Sequence, residues 1–254
     1  MFVPLPQGFA AGKDDKPRQR NPNILIHHTM YIILFVLIAI VSYAVQANLK
    51  RKFERYSKVQ LTSGLTGREV AEKMLCDNGI YNVRVISTQG QLTDHYNPAN
   101  QTVNLSEAVY NERSVAAAAV AAHECGHAVQ HAVAYGPLQM RSALVPVVSL
   151  ASNWVSWILL AGILLVQSFP FLLLLGILLF ALTTLFSFIT LPVEIDASRR
   201  ATVWLQHAGI TTGSEQPMAV GALRAAAYTY VVAALSSLGT LIYYVLIYMG
   251  NSRD

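Results

Sequence analysis

The sequence predicts a predominantly α-helical integral membrane protein, with about four transmembrane helices and a small α+β part beside them. Three observations predict it. Hydrophobic residues make up 54% of the 254 and charged residues only 13%, about half the charged share of a soluble domain. The apolar residues gather in runs of about 20, the length that crosses a hydrocarbon core. Between the runs lie helix caps, a short strand and a turn, the marks of a folded polar segment.

Residues 1–28 are polar, contain Pro4, Pro6, Pro17 and Pro22 with the charge run KDDKPRQR, and read as a disordered tail. Residues 29–47 form the first transmembrane helix, built on the uncharged run MYIILFVLIAIVSYAVQA. A signal peptide cleaved after VQA is the alternative, but 28 preceding residues are long for its n-region. Residues 48–142 form the main polar part. LTGREVAEKMLCDNGI reads as a helix with Thr66 as N-cap, Val70, Met74 and Leu75 on its apolar face and Gly79 as its stop. YNVRVIS reads as a strand. DHYNPANQTVNLS reads as a hairpin turning at 97–100 and returning through 102–105, whose edge we expect to pair with an extended substrate.

Ser114 caps a helix that runs to about Tyr135, ended by Gly136-Pro137. Its alanine-rich first half allows close helix packing. Its second half carries His123, Glu124, His127, Gln130 and His131, so it reads as buried in protein and not facing lipid. Residues 143–191 are a transmembrane hairpin divided at SFP, 168–170. Pro192 opens a polar helix that Gly209 ends, within a segment spanning 192–225. Residues 226–250 cross the membrane a fourth time and 251–254 are a tail.

With four spans, both polar parts lie on one side. That side carries Lys50, Arg51, Lys52, Arg55, Lys58, Arg141, Arg199, Arg200 and Arg224, against Lys13, Lys16, Arg18, Arg20 and Arg253 opposite. The bias places the polar parts in the cytoplasm. The net charge of +4 comes without a basic stripe interleaved with aromatics, which excludes nucleic acid as the expected partner. Cys76 and Cys125 read as free, buried thiols in a reducing compartment.

The chemistry concentrates in HECGH, residues 123–127. Positions i and i+4 share one helix face, so His123 and His127 can reach one zinc ion. Glu124 points to the side of that face, where it can hold a water molecule and take its proton. A third protein ligand is needed, with a fourth position left open. Candidates are His131, His207, His95, Asp94, Asp196 and Glu194. Glu194 is the most persuasive, because the hairpin returns the chain to the side of the HECGH helix just before it. Glu194, Ala197, Ser198 and Ala201 share one helical face. Asp196 points away and is spaced to pair with Arg199 or Arg200. His131 lies one turn too far along to join the other histidines. Donors to a transition-state oxyanion could come from His207, Arg199, Arg200, Tyr96 or His95.

HECGH with the downstream EIDAS resembles the YugP-type neutral zinc metallopeptidases, integral membrane proteins of bacteria. RYSKVQLTSGLTGREVAEKML, DHYNP, VNLSEAVYN, ALVPVVSLASNW and LPVEIDASRRA carry the resemblance over most of 53–205. It is distantly similar to the HtpX-type and prenyl-protein membrane peptidases, with HExxH plus a glutamate in an E-x-x-A-D element. The resemblance implies a small gluzincin-like zinc-peptidase domain holding one zinc per chain. It implies His123, His127 and Glu194 as ligands and Glu124 as general base. Asp196, Ser198, Arg199, His131 and His207 are then candidates for orienting the ligands or stabilising the transition state. Ser198 stands where those relatives carry aspartate.

The expected function is a membrane-embedded zinc endopeptidase of the bacterial cytoplasmic membrane. It would act on membrane-associated or unfolded proteins from the cytoplasmic side, with the bilayer as its other partner. A membrane scaffold with a structural metal is the alternative. A metal transporter ranks last, because the second and third spans hold only Ser, Thr, Asn and Gln as polar groups.

Overall fold

A computed structural model describes residues 22–90 and 92–251, with side chains over 32–90 and 92–250. Residues 1–21 and 252–254 of the expected tails lie outside the described residues. The element order is α1 (Pro22–Tyr56), α2 (Gly67–Asp77), β1 (Arg84–Thr88), β2 (His95–Asn97), β3 (Thr102–Ser106), α3 (Glu107–Tyr110), α4 (Val115–Ala132), α5 (Gly136–Leu164), α6 (Pro170–His207) and α7 (Glu215–Asn251). Among the described residues, four helices are long and apolar enough to cross a membrane: Ile32–Tyr56, Gly136–Leu164, Pro170–His207 and Glu215–Gly250. Helix α1 begins at Pro22, so 22–28 are helical and not tail; proline is favoured in a first helical turn.

α2 forms as its sequence requires. The Thr66 side chain accepts from the Glu69 N–H, and the Glu69 carboxylate accepts from the Thr66 N–H, a complete capping box. Val70, Ala71, Met74 and Leu75 are buried on its inner face. Gly79 follows with φ +69, the left-handed stop that glycine adopts without strain. The backbone and side-chain hydrogen bonds from Thr66 hold the Glu69 carboxyl below its ordinary value. A depressed folded-state value means that the box contributes fully above the ordinary glutamate range and is lost as pH falls through the folded value. Thr66→Ala is expected to cost about 1 kcal/mol in equilibrium unfolding at neutral pH, with a smaller difference from wild type in acid.

The three strands are ordered β1-β3-β2, with β1 parallel and β2 antiparallel to β3. The hairpin joins β2 to β3 as expected. The expected free edge at 102–105 is absent: β3 is the central strand, paired on both sides and buried at all five positions. Its parallel pairing with β1 is non-local and has no signature in a hairpin pattern. The sheet's edges belong to β1 and β2, and β2 is the one that runs beside α4.

α4 runs from the Ser114 cap, whose side chain accepts from the Ala117 N–H. Fourteen of its 18 residues are buried, as for a helix enclosed by protein. It packs with α2, β3, the end of α6 and the start of α7 in one core that includes Met74, Leu105, Val115, Leu205 and Leu223. Glu215, at the first residue of α7, accepts from Thr62 and Thr212 backbone N–H groups and ties that helix to the segment after α1.

Gly136 and Pro137 do follow α4, but they also open α5, which starts well before the span expected at 143. Pro192 does not open a helix. It lies inside α6, which is continuous from Pro170 to His207. Proline removes one N–H from the ladder, and packing on both sides of it holds the helix together. On the membrane side, Gly162 of α5 lies against the Leu173 backbone and Gly176 of α6 against Leu159. Val155, Leu159, Leu173 and Ile177 form a second core there, beside Leu241 and Tyr244 of α7. On the polar side, Ala197 and Ala201 are fully buried. Trp154, Trp157, Phe171 and Leu178 point outward, as lipid-facing residues do. Both cysteines are free, but Cys76 is exposed and only Cys125 is buried; Cys76 falls on the polar face of α2.

Candidate active site

One turn of α4 brings the two imidazoles together, with ring centroids 4.8 Å apart. α6 crosses α4 so closely that a Cβ on Gly126 would stand 2.6 Å from the Ala197 carbonyl oxygen. The glycine inside HECGH therefore sets the distance between the two helices. That approach places Glu194 Oε2 at 3.3 Å from His123 Nε2 and 3.5 Å from His127 Nε2. The three donor atoms lie within 4.8 Å of one another.

These spacings fit zinc. Bonds of about 2.0–2.1 Å in a tetrahedron put neighbouring donors about 3.3–3.4 Å apart, which the two imidazole–carboxylate distances match. The tautomers fit as well. Gln130 is fully buried, and its amide nitrogen donates to Val193 O at 2.8 Å and Asp196 Oδ2 at 3.0 Å. Its carbonyl oxygen must then face His127 Nδ1, 3.0 Å away. That nitrogen carries the proton, leaving the Nε2 lone pair free for a metal. Ser198 Oγ lies 3.1 Å from His123 Nδ1. A hydroxyl thus occupies the place where the aspartate of the E-x-x-A-D element was missing.

Glu124 is 8% exposed. Its Oε2 accepts from the Tyr96 backbone N–H at 3.0 Å, so the edge strand β2 fixes the carboxylate. Cys125 is not a competing ligand. Burial and the neighbouring Glu124 push its thiol well up, and its Sγ donates to Ala71 O on the other side of α4. The donors open into a cavity of about 740 Å³, walled by β2, α4, α5 and residues of α6 and α7.

The remaining candidates separate. Asp196 pairs with Arg200 at 2.5 Å and Arg199 at 3.5 Å and reaches the site only through Gln130. Arg199 is solvent-facing. His131 lines the cavity, with Nδ1 2.8 Å from the Tyr96 hydroxyl. His95 and Asp94 also line it; Asp94 is engaged by the Ser106 N–H at 2.7 Å. His207 is exposed in the last turn of α6 and is not a wall residue. Three site residues have no site role assigned from sequence. Gln130 carried a usable signal, lying three residues after His127 on its face. Arg141 of α5 reaches Glu194 Oε1 at 3.4 Å, and Tyr230 of α7 lines the cavity close to Glu194 and Glu124. Nothing local in the sequence marks those two.

A family model described as "Putative neutral zinc metallopeptidase" matches residues 31–249. The chain belongs to this family. It is 44% identical over 225 residues to the "Putative membrane protease YugP" of Bacillus subtilis (strain 168), covering 89% of this chain and 99% of the relative. No solved structure matches it. Membership of a zinc metallopeptidase family agrees with the metal that the donor set fits.

Proposed function

We propose that the chain is a membrane-embedded zinc endopeptidase, in which His123, His127 and Glu194 hold one zinc and Glu124 is the general base. The observation that carries this reading is the convergence of three mutually spaced donors beside a fixed carboxylate, in a cavity large enough for a peptide segment. Zinc, when bound, supplies Lewis acidity and lowers the pKa of water toward neutrality. Tyr96 N–H holds Glu124 Oε2, so the carboxylate is oriented before substrate arrives. Glu124 takes a proton from the attacking water and returns it to the leaving amine as the C–N bond breaks. His131, His95 and Tyr230 are the cavity groups able to donate to the developing oxyanion.

An extended substrate would lie along β2, the edge beside Glu124. Unfolded or membrane-associated proteins are the proposed substrates, since α5 and α7 form part of the cavity wall. The proposed location is the bacterial inner membrane with the site facing the cytoplasm, a side that the basic flanks support. The scaffold alternative would use the metal structurally, and a structural site normally fills all four positions with protein groups; here three described groups converge. The test is direct. Protein purified in detergent should contain one zinc per chain and cleave an unfolded protein. A chelator should stop cleavage and added zinc should restore it. Stoichiometric zinc with no cleavage across a panel of unfolded and membrane proteins would favour the scaffold.

A further inference from the structure

We infer that Arg141 is a positioning residue that holds one oxygen of Glu194, so that only the other is offered to zinc. The inference rests on the zinc-site reading above. Glu194 divides its two oxygens between different partners. Oε2 faces both imidazole Nε2 atoms, at 3.3 and 3.5 Å, while Oε1 lies 3.4 Å from Arg141 Nη1. The Glu194 side chain is 4% exposed, so bulk water does not compete for Oε1. The guanidinium is charged at every working pH and is preorganised for carboxylates. Carboxylates can ligate through one oxygen or both. A second Glu194 oxygen on the metal would take the position that a peptidase must leave open. Arg141 prevents this by occupying Oε1. It stands in the second turn of α5, so a membrane-hairpin helix supplies the restraint on a ligand carried by α6.

A residue that only neutralised the charge of Glu194 would leave ligand number unchanged when removed. Cobalt(II) reports that number, because its visible absorption weakens as coordination rises above four. The full-length wild type, Arg141→Met and Arg141→Gln are purified in detergent, stripped of metal and reloaded with cobalt. The wild type is expected to give the intense four-coordinate band and both variants a weakened one. Cleavage per bound metal is expected to fall about 10–100-fold in the variants. Arg141→Gln keeps the cavity wall polar and carries the test if Arg141→Met does not fold. An unchanged cobalt band in a folded variant overturns the proposal while leaving the zinc site standing. A wild type that binds neither cobalt nor zinc overturns the zinc-site reading and this inference with it.

Discussion

Glu124→Gln is expected to keep its zinc and lose its cleavage. Glutamine has the shape of glutamate, and its carbonyl oxygen can still accept from Tyr96 N–H, the contact that holds Glu124 Oε2 at 3.0 Å. The proposed metal donors are His123, His127 and Glu194, whose ligand atoms cluster without Glu124, so metal content should stay at the wild-type level. What disappears is the proposed base. A positioned general acid–base group contributes about 10²–10⁴-fold to rate, and Glu124 would serve in both proton transfers. Loss of at least that much turnover, with equal zinc by elemental analysis, is the expected pair of results. Wild-type cleavage by the variant would remove Glu124 from the mechanism. Loss of zinc together with activity would make Glu124 part of the metal site.

The two parts of this site were unequally legible in sequence, for physical reasons. His123 and His127 could be paired because i and i+4 spacing fixes their relation inside one helix. Glu194 could be reached because a hairpin of two spans must return the chain to the side it left. Thr66 and Ser114 were readable as caps because capping depends on a few neighbouring residues. Arg141 and Tyr230 arrive from helices that meet α6 only in three dimensions, and no local pattern encodes that meeting. The same limit hid the strand order. A hairpin announces its own turn, but β1 pairs with β3 across the whole of β2. Proline at 192 misled in the other direction. The rule that proline starts or breaks helices concerns local backbone hydrogen bonds and sterics, and α6 is held on both sides of Pro192 by tertiary contacts.

Gly126→Ala is expected to weaken zinc binding and lower stability together, against the sign that helix propensity alone would give. In a helix interior alanine is favoured over glycine by about 0.8–1.0 kcal/mol. At position 126 the added Cβ would lie 2.6 Å from Ala197 O and 3.1 Å from its C and Cα. All three are backbone atoms, so no rotamer change relieves the contact and α4 and α6 must separate. Overpacking of this kind costs about 1–3 kcal/mol, enough to reverse the propensity gain through most of that range. Separation also acts on chemistry, because several ties cross the same contact: Glu194 to both histidines, Ser198 to His123, and Gln130 to the Val193 carbonyl and to Asp196. Disturbing groups that orient metal ligands costs about 10–100-fold in affinity, measurable by competition with a chelator. Gly136→Ala is the control, since its Cβ would meet nothing within 4 Å. Wild-type zinc affinity in Gly126→Ala would mean that the two helices can part without moving Glu194, and the close approach at Gly126 would then serve packing alone.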